Sequence, residues 1–262
     1  MMIQQRPTIG FALGGGAARG IAHVGILQRL KETGIPIDYL AGTSAGALVG
    51  ALYASDVSLR DIEQFALDLK WTDLFWPRPT SGSLLGSQRL IKLLQKLCPV
   101  SRIEDLHIPF AVVVTDFETG ENISITQGEL FPAVQASSSI PILCPPVRLN
   151  GRYYMDGGVS EEVPVRAVKK LGAAIAVACD VHHHADMLKK PANFISMAMH
   201  LGRMIAKKNA EYDKTFADLA INVDARGISL TDLQKSRELI QRGRQAVDAI
   251  LPELQRLCDQ YA

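Results

Sequence analysis

The stretch "IDYLAGTSAGALVG", residues 37–50, decides the fold. Its first half is a short apolar run of strand type, and its second half is an apolar run suited to a helix. Between them stand Gly42, Thr43, Ser44, Ala45 and Gly46, so nothing larger than threonine lies within two residues of the serine. A chain that passes from strand to helix through so tight a turn points to an α/β architecture. The pentapeptide also fits G-x-S-x-G, in which a serine occupies a strained turn and its Oγ stands clear of the backbone. Gly42 and Gly46 lack the Cβ that would clash where strand and helix pass. A serine helix cap between packing glycines fits the same five residues.

Working outward, the same alternation recurs along the chain. Strands are expected at 8–13, 37–40, 110–115 and 174–179, with a hairpin partner at 122–126 and a strand-like insert at 219–223. Helices are expected at 18–33, 45–54, 90–97, 130–136, 164–171, 193–216 and 229–257. Ser58 and Asp61 form a capping box that opens a further helix ending near residue 69. The segment WTDLFWPRPTSGSLLG, 71–86, breaks the pattern and is expected to be irregular. The sheet should be largely parallel, and residues 1–262 read as a single domain with a helical part from about 190.

Charge is balanced, with 28 basic and 27 acidic residues and a net charge of +1. No nucleic-acid partner is implied, since no basic cluster is interleaved with aromatics. Cys98, Cys144, Cys179 and Cys258 are scattered without CxxC spacing, which argues against a zinc site or a disulfide framework and for a reducing cytoplasm. The opening MMIQQRPTIG has no apolar signal core. No run of about 18 uncharged apolar residues is present, so lipid contact would be peripheral. The apolar residues of the 71–85 segment (Trp71, Leu74, Phe75, Trp76, Leu84 and Leu85) suit a lipid-facing cap, or equally a closure of the core at the sheet edge.

Two further motifs carry chemistry. Gly14-Gly15-Gly16-Ala17-Ala18-Arg19-Gly20 places several amides at a helix N-terminus, an anion site. The anion is either a dinucleotide phosphate or the oxyanion of an acyl-transfer intermediate. The first reading fits poorly, because Arg19 stands where the third glycine of G-x-G-x-x-G belongs. In the second, the amides of Gly15, Gly16 and Ala17 are the donors, joined by that of Ala45, with Arg19 shaping the loop or adding positive field. Downstream, Asp156-Gly157-Gly158 reads as a β-turn or as a carboxylate placed beside Ser44. The histidines His23, His107, His182, His183, His184 and His200 include none in the loop context of a triad base. His23 reads as a packed residue near the glycine loop. His182 to His184 read as a surface loop, with metal binding as the sharper alternative.

Together the glycine loop with Arg19, the elbow GTSAG and the downstream DGG resemble the patatin-like phospholipases. The flanks ARGIAHVGIL, ASSSIPILCPPV and VPVRAVKKLGA share the resemblance, which covers roughly the whole chain and is most specific from Phe11 to Gly172. It implies a three-layer α/β/α sandwich and hydrolysis of lipid acyl esters, with no cofactor and no metal. It also implies a Ser44–Asp156 dyad in place of a triad. The motif glycines are then Gly14, Gly20, Gly42, Gly46, Gly157 and Gly158. One departure stands out: aligned on Arg19-Gly20, the family's third glycine is Ala17, whose Cβ is harmless at negative φ and unfavourable by about 1 kcal/mol or more at positive φ. The alternatives are a non-catalytic acyl-binding protein and a nucleotide-binding module.

Overall fold

The structure, a computed structural model, describes residues 6–74, 76–80, 83–86, 88–186 and 194–260. In chain order the elements are β1 (Ile9–Leu13), α1 (Ala22–Glu32), β2 (Tyr39–Thr43), α2 (Ala45–Ala54), α3 (Leu59–Asp68), α4 (Trp71–Leu74), β3 (Trp76–Thr80), β4 (Ser83–Gly86) and α5 (Gln88–Leu97). Then follow β5 (Phe110–Asp116), β6 (Asn122–Ile125), α6 (Leu130–Ser137), β7 (Val147–Leu149), β8 (Arg152–Asp156), α7 (Val165–Leu171), β9 (Ile175–Asp180), α8 (Phe194–Lys214), β10 (Leu219–Asn222) and α9 (Ser236–Gln260).

The main sheet has the order β10-β9-β1-β2-β5-β8-β7, and β6 pairs with the other edge of β5. The strands from β10 through β5 are parallel, while β6, β7 and β8 run antiparallel to their neighbours. Alternation along each strand separates two cores. On one face Ile9, Phe11 and Leu13 pack with Val24 and Ile26 of α1, Ala47 and Ala51 of α2, and Leu239 and Val247 of α9. On the other face Ala12, Ala41, Val113 and Ala178 pack with Val165 and Val168 of α7 and Ala210 of α8. The result is an α/β/α arrangement, and small residues on the second face let α7 lie close to the strands.

Four expectations needed adjustment. The strand expected at 37–40 runs on to Thr43, so the turn begins only at Ser44. The helix expected from residue 18 opens as a 3-10 turn, Ala17–Ile21, before α1. The helix expected from 229 starts at Ser236, because the Ser229 hydroxyl and the Asp232 carboxylate bond nearby backbone amides and hold 229–232 in a turn. Finally, the segment 71–86 contains a short helix and an antiparallel strand pair, β3 with β4. Residues 1–5, Phe75 and Asn193 lie outside the described residues, as do the side chains of Leu74, Trp76, Leu84 and Leu85 in the expected cap. Among the described residues no helix is long and apolar enough to cross a membrane.

Candidate active site

The two residues of the expected dyad, Ser44 and Asp156, are brought to one edge of β5. Thr43 lies opposite Val113, and Asp156 lies opposite Val114. Because β6 occupies the other edge of β5 over the same residues, β2 and β8 share one edge and meet end to end. Ser44 follows the last residue of β2, and Asp156 is the last residue of β8. Their side chains therefore converge, and the Ser44 hydroxyl stands close enough to favour the charged form of the Asp156 carboxylate.

The serine stands on a strained backbone, with φ 51° and ψ −116°. For a residue with a Cβ this conformation costs about 1–3 kcal/mol and persists only when neighbours hold it. They do. The Ser44 amide donates to Ser137 Oγ at 2.9 Å, and that hydroxyl donates to Val113 O at 2.6 Å. Thr43 Oγ1 donates to Glu161 O at 3.0 Å. A Cβ on Gly46 would stand 2.0 Å from Leu13 O, so the elbow and the end of β1 touch backbone to backbone.

The glycine loop leaves β1 beside this elbow. Its first two amides are occupied: Gly14 donates to Cys179 O and Gly15 to Glu162 O, each at 3.0 Å. Gly15 is thus corrected from oxyanion donor to anchor, since its single N–H already has a partner. The amides of Gly16, Ala17 and Ala45 have no hydrogen-bond partner among the described residues. Ala17 has φ 47°, the positive value that places about 1 kcal/mol of strain on its Cβ. Arg19 is 4% exposed and donates from Nε and Nη2 to Ile228 O at 2.9 and 2.6 Å. It therefore holds the loop from behind rather than facing a ligand. His23 Nε2 donates to Gly14 O at 2.8 Å from a fully buried site, which pushes its pKa down to about 4.

Asp156 is buried, and its Oδ1 accepts from the Gly158 amide at 2.9 Å. Burial first, and the nearby Glu162 charge second, push its pKa up to about 7. The Gly158 amide and the Ser44 hydroxyl act in the opposite sense, favouring the carboxylate. Asn209 of α8 donates to Gly158 O and Val159 O at 3.0 and 2.9 Å, which fixes the turn after Asp156.

Ser44, Ala45 and Ala17 line a cavity of about 800 Å³, a volume that includes its open mouth. Its other walls are apolar and include Val24 of α1, Leu48 and Leu52 of α2, Phe65 of α3 and Leu90 of α5. Trp71, one of the expected cap residues, joins this wall and donates from Nε1 to Thr231 O. Sequence reading missed Ser137, Asn209 and Glu162; it placed His182 on a surface loop, and the residue does lie in a loop after β9, but with its side chain only 12% exposed. The carboxylates of Glu161-Glu162 carry no local sign that distinguishes them from a solvated pair.

The profile of the patatin-like phospholipases matches residues 11–169, a span that includes the loop, the elbow and Asp156. The chain belongs to the patatin-like phospholipase family. An uncharacterised NTE-family protein of Mycobacterium tuberculosis is 29% identical over 214 residues, 80% of this chain and 59% of that one. The lysophospholipase NTE1 of Yarrowia lipolytica is 35% identical over 183 residues, 66% of this chain and 13% of that one. This patatin-like chain thus spans less than two thirds of the length of the first and about an eighth of the second. The fold of VipD from Legionella pneumophila superimposes with a TM-score of 0.54 at 15% identity, covering 95% of this chain and 67% of that one.

Proposed function

We propose that the chain is a serine acyl-ester hydrolase acting on lipids, with Ser44 as nucleophile and Asp156 as general base. The observation that carries this is the convergence of Ser44 and Asp156 at the ends of β2 and β8, with Ser44 on a strained elbow at the wall of an apolar cavity. Ser44 Oγ attacks the ester carbonyl while Asp156 takes its proton. The tetrahedral oxyanion is met by the amides of Gly16, Ala17 and Ala45, whose N–H groups need no reorganisation to receive it. Collapse expels the alcohol, which leaves with the proton from Asp156. Water, deprotonated by the same carboxylate, then releases the fatty acid from Ser44.

An ordinary aspartate, with a pKa near 3.9, is a weak base for a serine hydroxyl. A group raised to about 7 is far better matched to neutral pH. The apolar cavity takes the acyl chain, which supports a lipid ester in preference to a small polar one. The relative named as a lysophospholipase makes monoacyl phospholipids the first substrates to try. The 71–85 segment, through Trp71, is the part offered to a lipid surface.

A fluorophosphonate probe should label the protein at Ser44, as mapped by mass spectrometry, and Ser44→Ala should lose both labelling and hydrolysis with its fold intact. Labelling or hydrolysis that survives in Ser44→Ala would overturn the assignment. Fatty-acid binding without either would make the chain an acyl carrier.

A further inference from the structure

A second buried carboxylate stands against the dyad. A Cβ placed on Gly158 would lie 2.2 Å from Glu162 Oε2 and 3.2 Å from Asp156 Oδ1. Those two distances bound the separation of the carboxylate oxygens at 5.4 Å, their sum. Glu162 also fills the space beside the glycine loop, since a Cβ on Gly15 would stand 2.5 Å from its Oε1. The same residue's carbonyl oxygen holds the Gly15 amide.

The side chain of Glu162 is held in turn. Its Oε1 lies 2.8 Å from His182 Nε2, and His182 Nδ1 lies 3.3 Å from Arg19 Nη1. A guanidinium can only donate, so Nδ1 accepts, and Nε2 carries the hydrogen given to Glu162. In this arrangement the imidazole spaces the Arg19 guanidinium from the Glu162 carboxylate. The Glu162 carboxylate therefore faces Asp156 on one side and His182 on the other, and the Arg19 charge is kept one ring away.

We propose that Glu162, fixed by the chain from Arg19 through His182, is a positioning residue for the Ser44–Asp156 dyad: its negative charge, facing Asp156 across Gly158, makes Asp156 a stronger base. The inference rests on the dyad reading above. The other groups around the pair do not supply that charge. His23 of α1 donates to Gly14 O. The thiol of Cys144, beyond α6, is pushed up to about 12 by burial and by Asp156 itself. Asp180, at the end of β9, is paired with Lys214 of α8 at 2.8 Å. Asp213 of α8 accepts from the Val163 amide at 3.1 Å, and Arg203 of α8 is felt by Arg19.

The test is the pH dependence of kcat/KM on a soluble nitrophenyl ester, after wild type has been labelled at Ser44 to secure the dyad. At 5.4 Å or less and an effective dielectric of about 20, removal of the Glu162 charge moves the acid limb down by about two pH units or more. The plateau falls about three- to tenfold as the base weakens. Glu162→Gln should show both changes, and Glu162→Asp, which keeps the charge, should hold the limb near wild type. Glu162→Asn replaces Glu162→Gln should the latter not fold. A neutral variant whose acid limb stays at the wild-type pH overturns the proposal, even where its rate is low. Failure of Ser44 labelling in wild type would instead remove the dyad reading beneath it.

Discussion

Replacing Asp156 by Asn should make the protein more stable while stopping its chemistry. The folded state holds the Asp156 proton up to about pH 7, whereas the unfolded chain gives it up near the ordinary value of about 3.8. Between those two values the native state binds more protons than the unfolded state. Stability from this group therefore falls as pH rises from about 4 to about 7, and levels off above that. Three units at about 1.4 kcal/mol each make ionised Asp156 a burden of about 4 kcal/mol at pH 8. Asn is never charged, and its Oδ1 can still accept from Gly158. Allowing about 1 kcal/mol for the altered contact with Ser44, Asp156→Asn should exceed wild type by about 2–4 kcal/mol at pH 8. The gap should narrow by about 2–3 kcal/mol on going to pH 5. Urea unfolding of both proteins at pH 5, 6.5 and 8 measures it, while ester hydrolysis should drop by about a hundredfold or more. A gap that is absent, or does not change with pH, would refute the reasoning that burial and Glu162 disfavour the carboxylate.

Two further outcomes follow from the same geometry. Leu48→Trp, on the half-buried wall of the cavity, should lower kcat/KM for palmitoyl relative to butyryl esters by about tenfold or more, as read in paired nitrophenyl assays; an unchanged ratio would place the acyl chain elsewhere. Gly46→Ala should lose more than about 3 kcal/mol in urea unfolding, because the new Cβ meets the Leu13 carbonyl at 2.0 Å and backbone cannot move aside; wild-type stability would show that elbow and strand are not in contact.

Features written into consecutive residues were legible in advance. The Ser58–Asp61 cap, the α2 helix after Ser44 and the Gly172 stop of α7, in the left-handed region at φ 113°, are each specified within a few residues. What lay beyond the sequence depended on distant pairing. That Asp156 meets Ser44 follows from Val113 and Val114 each claiming a different strand end, a fact of register with no local signal. The loss of the Gly15 amide to Glu162, and the burial of His182 between Arg19 and that carboxylate, depend on the same assembly. The adjacent histidines looked like a solvent-exposed run, but only His184 is exposed, and His182 turns inward to Glu162. The hairpin of β3 and β4 was hidden by two prolines, which normally argue against strand.

The division of labour between strands and helices has a consequence for how such a protein can change. Ser44, Asp156 and the free amides hang from the ends of β1, β2 and β8, braced by backbone contacts that tolerate little. The cavity walls come from side chains on α1, α2, α3 and α5, of which only α2, through the amide of its first residue Ala45, carries one of the proposed reacting groups. Substitutions that reshape the walls leave the braces untouched. In the proposed hydrolase, acyl-chain preference is therefore open to change by single wall substitutions that leave the backbone braces in place.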